Sequence, residues 1–158
     1  MKRILSIALG ILLFVSCTST GIENTDHGII VRLNPENSGG VRNIRLQVVN
    51  EKIIHVSATG DKSFSTEKSL ITKPGLTYSD KFTVEEKEDR VILSTDSLDA
   101  VVLLETGEIA FLNKKGEPFL QEQKGGGKTL TPIEVEGTKG YTIHQLFESP
   151  DDEAFYGL

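Results

Sequence analysis

The sequence predicts an all-β protein, an antiparallel β-sandwich, and three observations lead to this fold class. Short runs of alternating apolar and polar residues recur from His27 onward, clusters of Asn, Gly and Pro separate them, and no segment has the period of a long amphipathic helix. Roughly seven to nine such strands are expected. This number favours a sandwich, because a two-stranded ribbon cannot bury a core alone. The 158 residues allow one domain. They are too few for a (β/α)8 barrel, which needs about 250 residues.

The predicted strands follow one another as hairpins. The first apolar run is Ile29–Leu33, and the alternating segment Val41–Val49 turns at Asn50-Glu51 into Lys52–Thr59. The later strands are expected at Lys81–Glu86, Arg90–Thr95, Ala100–Leu104, Glu108–Leu112 and Glu117–Gln121, the last after the turn Asn113-Lys114-Lys115-Gly116. Two sizeable loops remain, Gly60–Asp80 and Lys124–Pro132.

The first 26 residues have the pattern of an export signal and a tether. A cationic start, Met1-Lys2-Arg3, precedes the uncharged apolar run Ile4–Val15, which is too short to span a bilayer comfortably but fits the core of a signal peptide. The junction at Ser16-Cys17 resembles that of bacterial lipoproteins, in which the cysteine is lipidated and becomes the new N-terminus. We therefore expect a signal peptide at 1–16, a lipid on Cys17, a polar tether at 17–26 and the domain at 27–158. Such a protein is anchored to the bacterial outer membrane, facing the periplasm or the cell surface.

Composition and residue spacing exclude several classes of function. The net charge of −6 argues against a nucleic-acid partner, because such proteins neutralise phosphates with Lys and Arg. A single cysteine excludes an intrachain disulfide framework and a thiolate zinc finger. The three histidines, His27, His55 and His144, lack the spacing of metal ligands, so no metal site and no cofactor are expected.

Two segments resemble functional motifs but are better explained structurally. Gly125-Gly126-Gly127-Lys128-Thr129 looks like a phosphate-binding loop, yet Glu122 stands where that motif requires its first glycine, and Pro132 opposes the helix that should follow. We interpret this segment as a flexible surface loop. The acidic run Asp151-Asp152-Glu153 follows Ser149-Pro150 and fits a turn or a helix N-cap better than a catalytic carboxylate pair.

The end of the chain resembles a known family. Phe147–Leu158 contains an acidic turn followed by Phe155-Tyr156-Gly157-Leu158, and it is similar to the segment near the end of the first domain of family 31 glycoside hydrolases. Three upstream stretches are similar to the same domain in order and spacing: Val41–Val56, Val91–Val102 and Glu105–Leu120. The resemblance covers roughly His27–Leu158.

This resemblance implies a galactose-mutarotase-like β-sandwich and an α-glucosidase or α-xylosidase as the parent enzyme. With its lipid anchor, the chain resembles the members that Bacteroidetes use to strip xylose or glucose from plant oligosaccharides such as xyloglucan. The family holds its aspartate nucleophile and its aspartate acid/base on a (β/α)8 barrel that follows this domain, so no catalytic or substrate-binding residue is assigned here. We expect a truncated chain with an incomplete sandwich, catalytically silent and either marginally stable or prone to associate. An oligosaccharide would be bound through the missing catalytic domain.

Two other functions are compatible with the residues alone. A complete surface lipoprotein could bind glycans by stacking a sugar ring on Tyr78 or Tyr141, although the chain has no Trp for a broad platform. A purely structural envelope protein is the third possibility.

Overall fold

The structure, a computed structural model, describes residues 21–66 and 75–149. Across these two ranges every regular element is a strand, so the predicted all-β class is confirmed. In the same part of the chain there is no helix long and apolar enough to cross a membrane.

The described residues form eleven strands, more than the sequence predicts. Their bounds in chain order are β1 Gly21–Thr25, β2 Gly28–Arg32, β3 Asn43–Asn50, β4 Ile53–Thr59, β5 Thr83–Glu86, β6 Arg90–Ser94, β7 Leu98–Leu103, β8 Ile109–Asn113, β9 Pro118–Gln121, β10 Lys128–Val135 and β11 Thr138–Gln145.

Within each sheet, every strand pairs antiparallel with the next strand in sequence, so each sheet is built from consecutive hairpins. Sheet A has the order β1-β2-β3-β4, sheet B has the order β5-β6-β7-β8-β9, and β10 and β11 form a separate two-stranded hairpin. This arrangement follows from the short turns that the sequence places between strands. At one of them the Asn113 side-chain oxygen accepts hydrogen bonds from the backbone N–H groups of Lys115 and Glu117, as expected for a turn that begins with Asn.

The core lies between the inner faces of the two sheets. On β3 every second side chain, Ile44, Leu46 and Val48, is fully buried, which is the period-2 pattern of a strand with one face toward the core. Their partners in the packed cluster come from β2, β6, β7 and β8, and β10 adds one residue: Ile29, Val31, Val91, Leu93, Ala100, Val102, Ile109 and Leu130. The predicted antiparallel sandwich is confirmed.

The tether prediction is wrong for its second half. Residues Gly21–Thr25 form β1, which pairs with β2 from Gly21 opposite Arg32 to Thr25 opposite Gly28. The sequence of β1 lacks a clear apolar alternation because the strand lies at the edge of sheet A, where Glu23 forms an exposed ion pair with Arg32. Polar edge strands of this kind limit pairing between molecules.

The second predicted loop is also shorter than expected. Lys128–Pro132 belongs to β10, whose backbone is tied to the turn between β2 and β3 by a hydrogen bond from Leu130 N–H to the Gly39 carbonyl, 2.8 Å. The proline is accommodated because β10 pairs with only one strand, where Pro132 lies opposite Tyr141.

Candidate functional site

Several residues singled out from the sequence lie outside the described ranges. They are Cys17, the acidic run Asp151–Glu153 and the motif Phe155, Tyr156, Gly157 and Leu158. Tyr78, Tyr141 and the three histidines are described. The structure brings Tyr78 and two of the histidines together.

Tyr78 stacks on His27, in the turn between β1 and β2, and on His55 of β4. Its ring centroid is 6.0 Å from that of His27 and 6.4 Å from that of His55, and its hydroxyl is 3.3 Å from His55 Nδ1. The plane of the Tyr78 ring differs by 27° from that of His27 and by 15° from that of His55, so the tyrosine stacks on both histidines. Among the described residues, no group of three His, Cys, Asp or Glu side chains could hold a metal ion. The contacts with His27 and His55 hold Tyr78 against sheet A.

The most deeply buried ion pair among the described residues joins Glu122, just after β9, to Lys128, at the start of β10. Their side chains are 2% and 7% exposed. The Glu122 carboxylate also accepts hydrogen bonds from Ile109 N–H at 2.9 Å and from Gln145 Nε2 at 2.8 Å. Lys128 donates a further bond to the Gly107 carbonyl at 3.0 Å. The pair therefore joins the β7–β8 turn, the end of β9 and both strands of the hairpin.

A second carboxylate, Glu108, lies beside this pair and is also buried. It accepts hydrogen bonds from Gly125 N–H at 3.0 Å and from Gln121 Nε2 at 3.3 Å. Burial lowers the pKa of the Lys128 ammonium, and the charges of Glu122 and Glu108 oppose that change. Nearly all hydrogen-bonding atoms of the cluster are used within the protein, which indicates a structural role.

The interpretation of the glycine-rich segment as a flexible surface loop is wrong at its end. Lys128 is buried, and a Cβ on Gly127 would lie 2.5 Å from the Glu122 Cβ and 2.7 Å from the Leu146 carbonyl. The glycine is needed because the chain enters β10 against these atoms. The ion pair could not be predicted from the sequence, because lysine is seldom buried and no residue near Lys128 in sequence indicates that its side chain is buried.

Tyr141 on β11 lies at a different place, against the loop that follows β4. Its hydroxyl donates a hydrogen bond to Asp61 Oδ1 at 2.8 Å, and its ring packs against the core cluster. The two side chains line an open cavity of about 450 Å³ between that loop and the outer part of the hairpin. Asp61 could not be found from sequence, because it is 80 residues away from Tyr141.

Replacing Asp61 with Asn is expected to lower the pKa of Tyr141. The hydrogen bond to the Asp61 carboxylate raises this pKa by stabilising the protonated phenol, and desolvation and the carboxylate charge act in the same direction. The hydrogen bond therefore stabilises the folded chain fully below the ordinary tyrosine pKa. This stabilisation is lost as the pH rises through the raised pKa of Tyr141.

Ultraviolet titration near 295 nm would measure this change, since the chain contains three tyrosines and no tryptophan. The Tyr141→Phe variant identifies which of the titrating groups is Tyr141. The same tyrosine titration curve for Asp61→Asn and the unmodified chain would contradict the assignment.

In the described residues, exposed large apolar side chains cluster on two surfaces, and Ile53, Ile143 and Leu146 lie outside them. The hairpin surface comprises Ile133 and Val135, which lie on one face of β10 and are 41% and 60% exposed. The edge surface comprises Phe119 and Leu120 on β9, at the edge of sheet B, together with the nearby Phe147. Adjacent exposed apolar groups of this size are typical of interfaces.

The chain after the hairpin runs beside β9. Leu146–Glu148 continues along the end of β9, with Gln123 N–H bonded to the Leu146 carbonyl at 3.0 Å and Glu148 N–H bonded to the Gln121 carbonyl at 2.9 Å. This pairing places Phe147–Ser149, the described start of the segment that resembles the family, next to the edge surface.

Comparison with known proteins identifies the family. Residues 43–158 match the family model of the glycosyl hydrolase 31 N-terminal galactose mutarotase-like domain. The chain belongs to glycoside hydrolase family 31. The resemblance noted from Phe155-Tyr156-Gly157-Leu158 and the three upstream stretches is thereby confirmed, as is the galactose-mutarotase-like sandwich.

Solved structures agree with this family 31 domain. It is similar to a GH31 alpha-xylosidase from Xanthomonas citri, with 34% sequence identity over 82% of this chain and a TM-score of 0.70. A GH31 alpha-xylosidase from a soil metagenome, complexed with xylose, has 20% identity over 84% of this chain and a TM-score of 0.63, which supports the fold. The chain spans 14% and 21% of those two proteins.

Proposed function

We propose that this chain is the N-terminal domain of a longer α-glycosidase, most specifically an α-xylosidase, that releases terminal α-linked xylose or glucose from oligosaccharides with retention of configuration. The observation that carries the proposal is the 34% identity to an alpha-xylosidase over 82% of this chain. Because the chain spans only 14% of that protein, we assign the reaction to a catalytic part outside these residues. A retaining mechanism uses a carboxylate nucleophile and a carboxylic acid about 5–5.5 Å apart.

Within that enzyme the domain packs against the catalytic part and helps to shape the sugar cleft. Its edge surface supports this role, since it exposes apolar side chains that a partner can cover. The ion pair between Glu122 and Lys128 holds the hairpin and the end of β9 together, and so fixes the hairpin surface relative to the edge surface.

Activity assays test this proposal in two steps. The full chain should not hydrolyse nitrophenyl α-xyloside or nitrophenyl α-glucoside, whereas the longer enzyme should hydrolyse both, the xyloside faster. Proton NMR of the longer enzyme's reaction should show the α-anomer of the free sugar first. Hydrolysis by this chain alone, or the β-anomer as the first product, would refute the assignment.

The hairpin surface should also govern association of the isolated chain. The double substitution Ile133→Lys and Val135→Lys places two charges on it, so sedimentation velocity should show less self-association than for the unmodified chain. Ile53→Lys is the matched control, because Ile53 is 52% exposed but lies on β4 in sheet A and not on the hairpin. A monomeric unmodified chain, or an equal effect of the control, would contradict this role of the hairpin surface.

We further propose that the enzyme is exported and anchored to the outer membrane by a lipid on Cys17. The cationic start and apolar run before Cys17 support this. Intact mass spectrometry of the membrane fraction should show loss of residues 1–16 and addition of acyl chains. Cys17→Ser should abolish the acylation, and an unmodified Cys17 in the mature protein would refute the anchor.

A further inference from the structure

The cavity beside Tyr141 combines a fixed aromatic side chain with several unused polar groups. Its volume of about 450 Å³ falls within the roughly 300–1,000 Å³ of small-ligand sites. Pro132, Ile133 and Tyr141 form its apolar lining, while Asp61, Glu134 and Lys139 provide carboxylates and an ammonium. We propose that this cavity binds a neutral pyranose unit of an oligosaccharide.

The wall of the cavity is held in place before any ligand binds. Asp61 fixes the Tyr141 hydroxyl at 2.8 Å, and the backbone around Asp61 is fixed in turn by the buried side chain of Asn43. The Asn43 amide donates to the carbonyl of Asp61 at 2.9 Å and to that of Lys62 at 3.3 Å. A ring and a carboxylate that need no reordering lose less entropy on binding.

The glycine before Asp61 explains how close the ring comes to this loop. A Cβ on Gly60 would lie 3.0 Å from both Tyr141 Cε1 and the Tyr141 hydroxyl oxygen. The hydroxyl end of the ring therefore packs against the loop. Tyr141 is only partly buried and lines the cavity, so part of its ring is available to a ligand.

The polar groups around the ring fit a neutral polyol better than a charged ligand. Glu134 and Lys139 lie opposite each other in the hairpin. None of the six salt bridges in the described residues includes either of them. Both are exposed and can bond to hydroxyl groups, which donate as well as accept. With two carboxylates against one ammonium, the cavity disfavours phosphates and uronic acids. The apolar C–H face of a pyranose can lie against the tyrosine ring.

Saturation-transfer NMR and calorimetry with a xyloglucan oligosaccharide test the site on the full chain in detergent. We expect saturable millimolar binding to the unmodified chain. Tyr141→Ala removes the aromatic contact and should weaken this binding about tenfold, which corresponds to about 1.4 kcal/mol. Lys139→Ala, at an exposed position that folding does not need, should weaken binding about threefold. Tyr141→Phe, which keeps the ring, should retain most of the affinity.

Tyr78→Ala is the matched control, since it removes the other half-buried tyrosine and should leave binding unchanged. Glucuronic acid should compete less well than xylose. The proposal is overturned by an absence of saturable binding, by equal binding to the Tyr141→Ala variant, or by loss in the Tyr78→Ala variant instead. None of these results bears on the glycosidase assignment, which depends on the catalytic part.

Discussion

Glu122→Ala is expected to lower the free energy of unfolding by about 3–5 kcal/mol, because it leaves the Lys128 ammonium buried without its counter-ion. Lys128→Met should cost less, since the remaining carboxylate still accepts hydrogen bonds from Ile109 N–H and Gln145 Nε2. Urea unfolding monitored by circular dichroism measures both. The exposed pair between Lys114 and Asp99 is the control, and Lys114→Met should cost about 1 kcal/mol or less.

Two further measurements separate the ion pair from simple loss of packing. The double variant Glu122→Ala with Lys128→Met should be at least about 1 kcal/mol more stable than the sum of the two single effects predicts. The pH dependence gives the second readout. Burial lowers the pKa of Lys128, so the unfolded chain binds more protons between that lowered pKa and the ordinary lysine value. The contribution of Lys128 to stability therefore rises with pH in this window.

The difference in free energy of unfolding between the unmodified chain and the Lys128→Met variant should therefore increase as the pH rises through that window. Additive single effects together with a constant difference would show that Glu122 and Lys128 are not coupled in the folded protein.

Gly28→Ala is expected to prevent normal pairing of β2 with β3 and to destabilise the fold by about 3 kcal/mol or more. The new methyl carbon would lie 1.9 Å from the Leu46 carbonyl oxygen, which belongs to the backbone of β3, an inner strand of sheet A, and cannot move aside. The adjoining bond from Val48 N–H to the His27 carbonyl, 2.8 Å, would be strained by any separation of the strands.

Gly140→Ala is the control for that substitution. Gly140 also lies in a strand, but nothing within 4 Å would meet its Cβ, so the change should be within about 0.5 kcal/mol of neutral. Thermal unfolding of the two variants side by side provides the measurement. Similar melting temperatures for both would mean that β2 and β3 are not packed as closely as described.

The hairpins of sheets A and B could be predicted because their signals are local. Alternation in Val41–Val49 and the turn Asn113–Gly116 each specify strand and connection within a few residues, and both are found where expected. The family could also be recognised, from motifs whose order and spacing do not depend on tertiary structure.

The missed features depend on distant partners. β1 is polar and is a strand only because β2 offers it a free edge, and β10 contains Pro132 but is paired on one side by β11. The buried lysine is understood only when Glu122 and the carbonyl of Gly107 are brought around it by the folded sheets. Asp61 joins Tyr141 across 80 residues of sequence, a separation at which a single sequence carries no pairing signal.

The reading frame after codon 158 in the source DNA is the most direct test of whether this domain works as the N-terminal part of a longer family 31 α-glycosidase. We expect the frame to continue with a glycine codon after Phe155-Tyr156-Gly157-Leu158 and then to encode a (β/α)8 barrel with two catalytic aspartates. A stop codon directly after Leu158 would contradict the enzyme assignment and leave oligosaccharide binding at Tyr141 as the function to be measured.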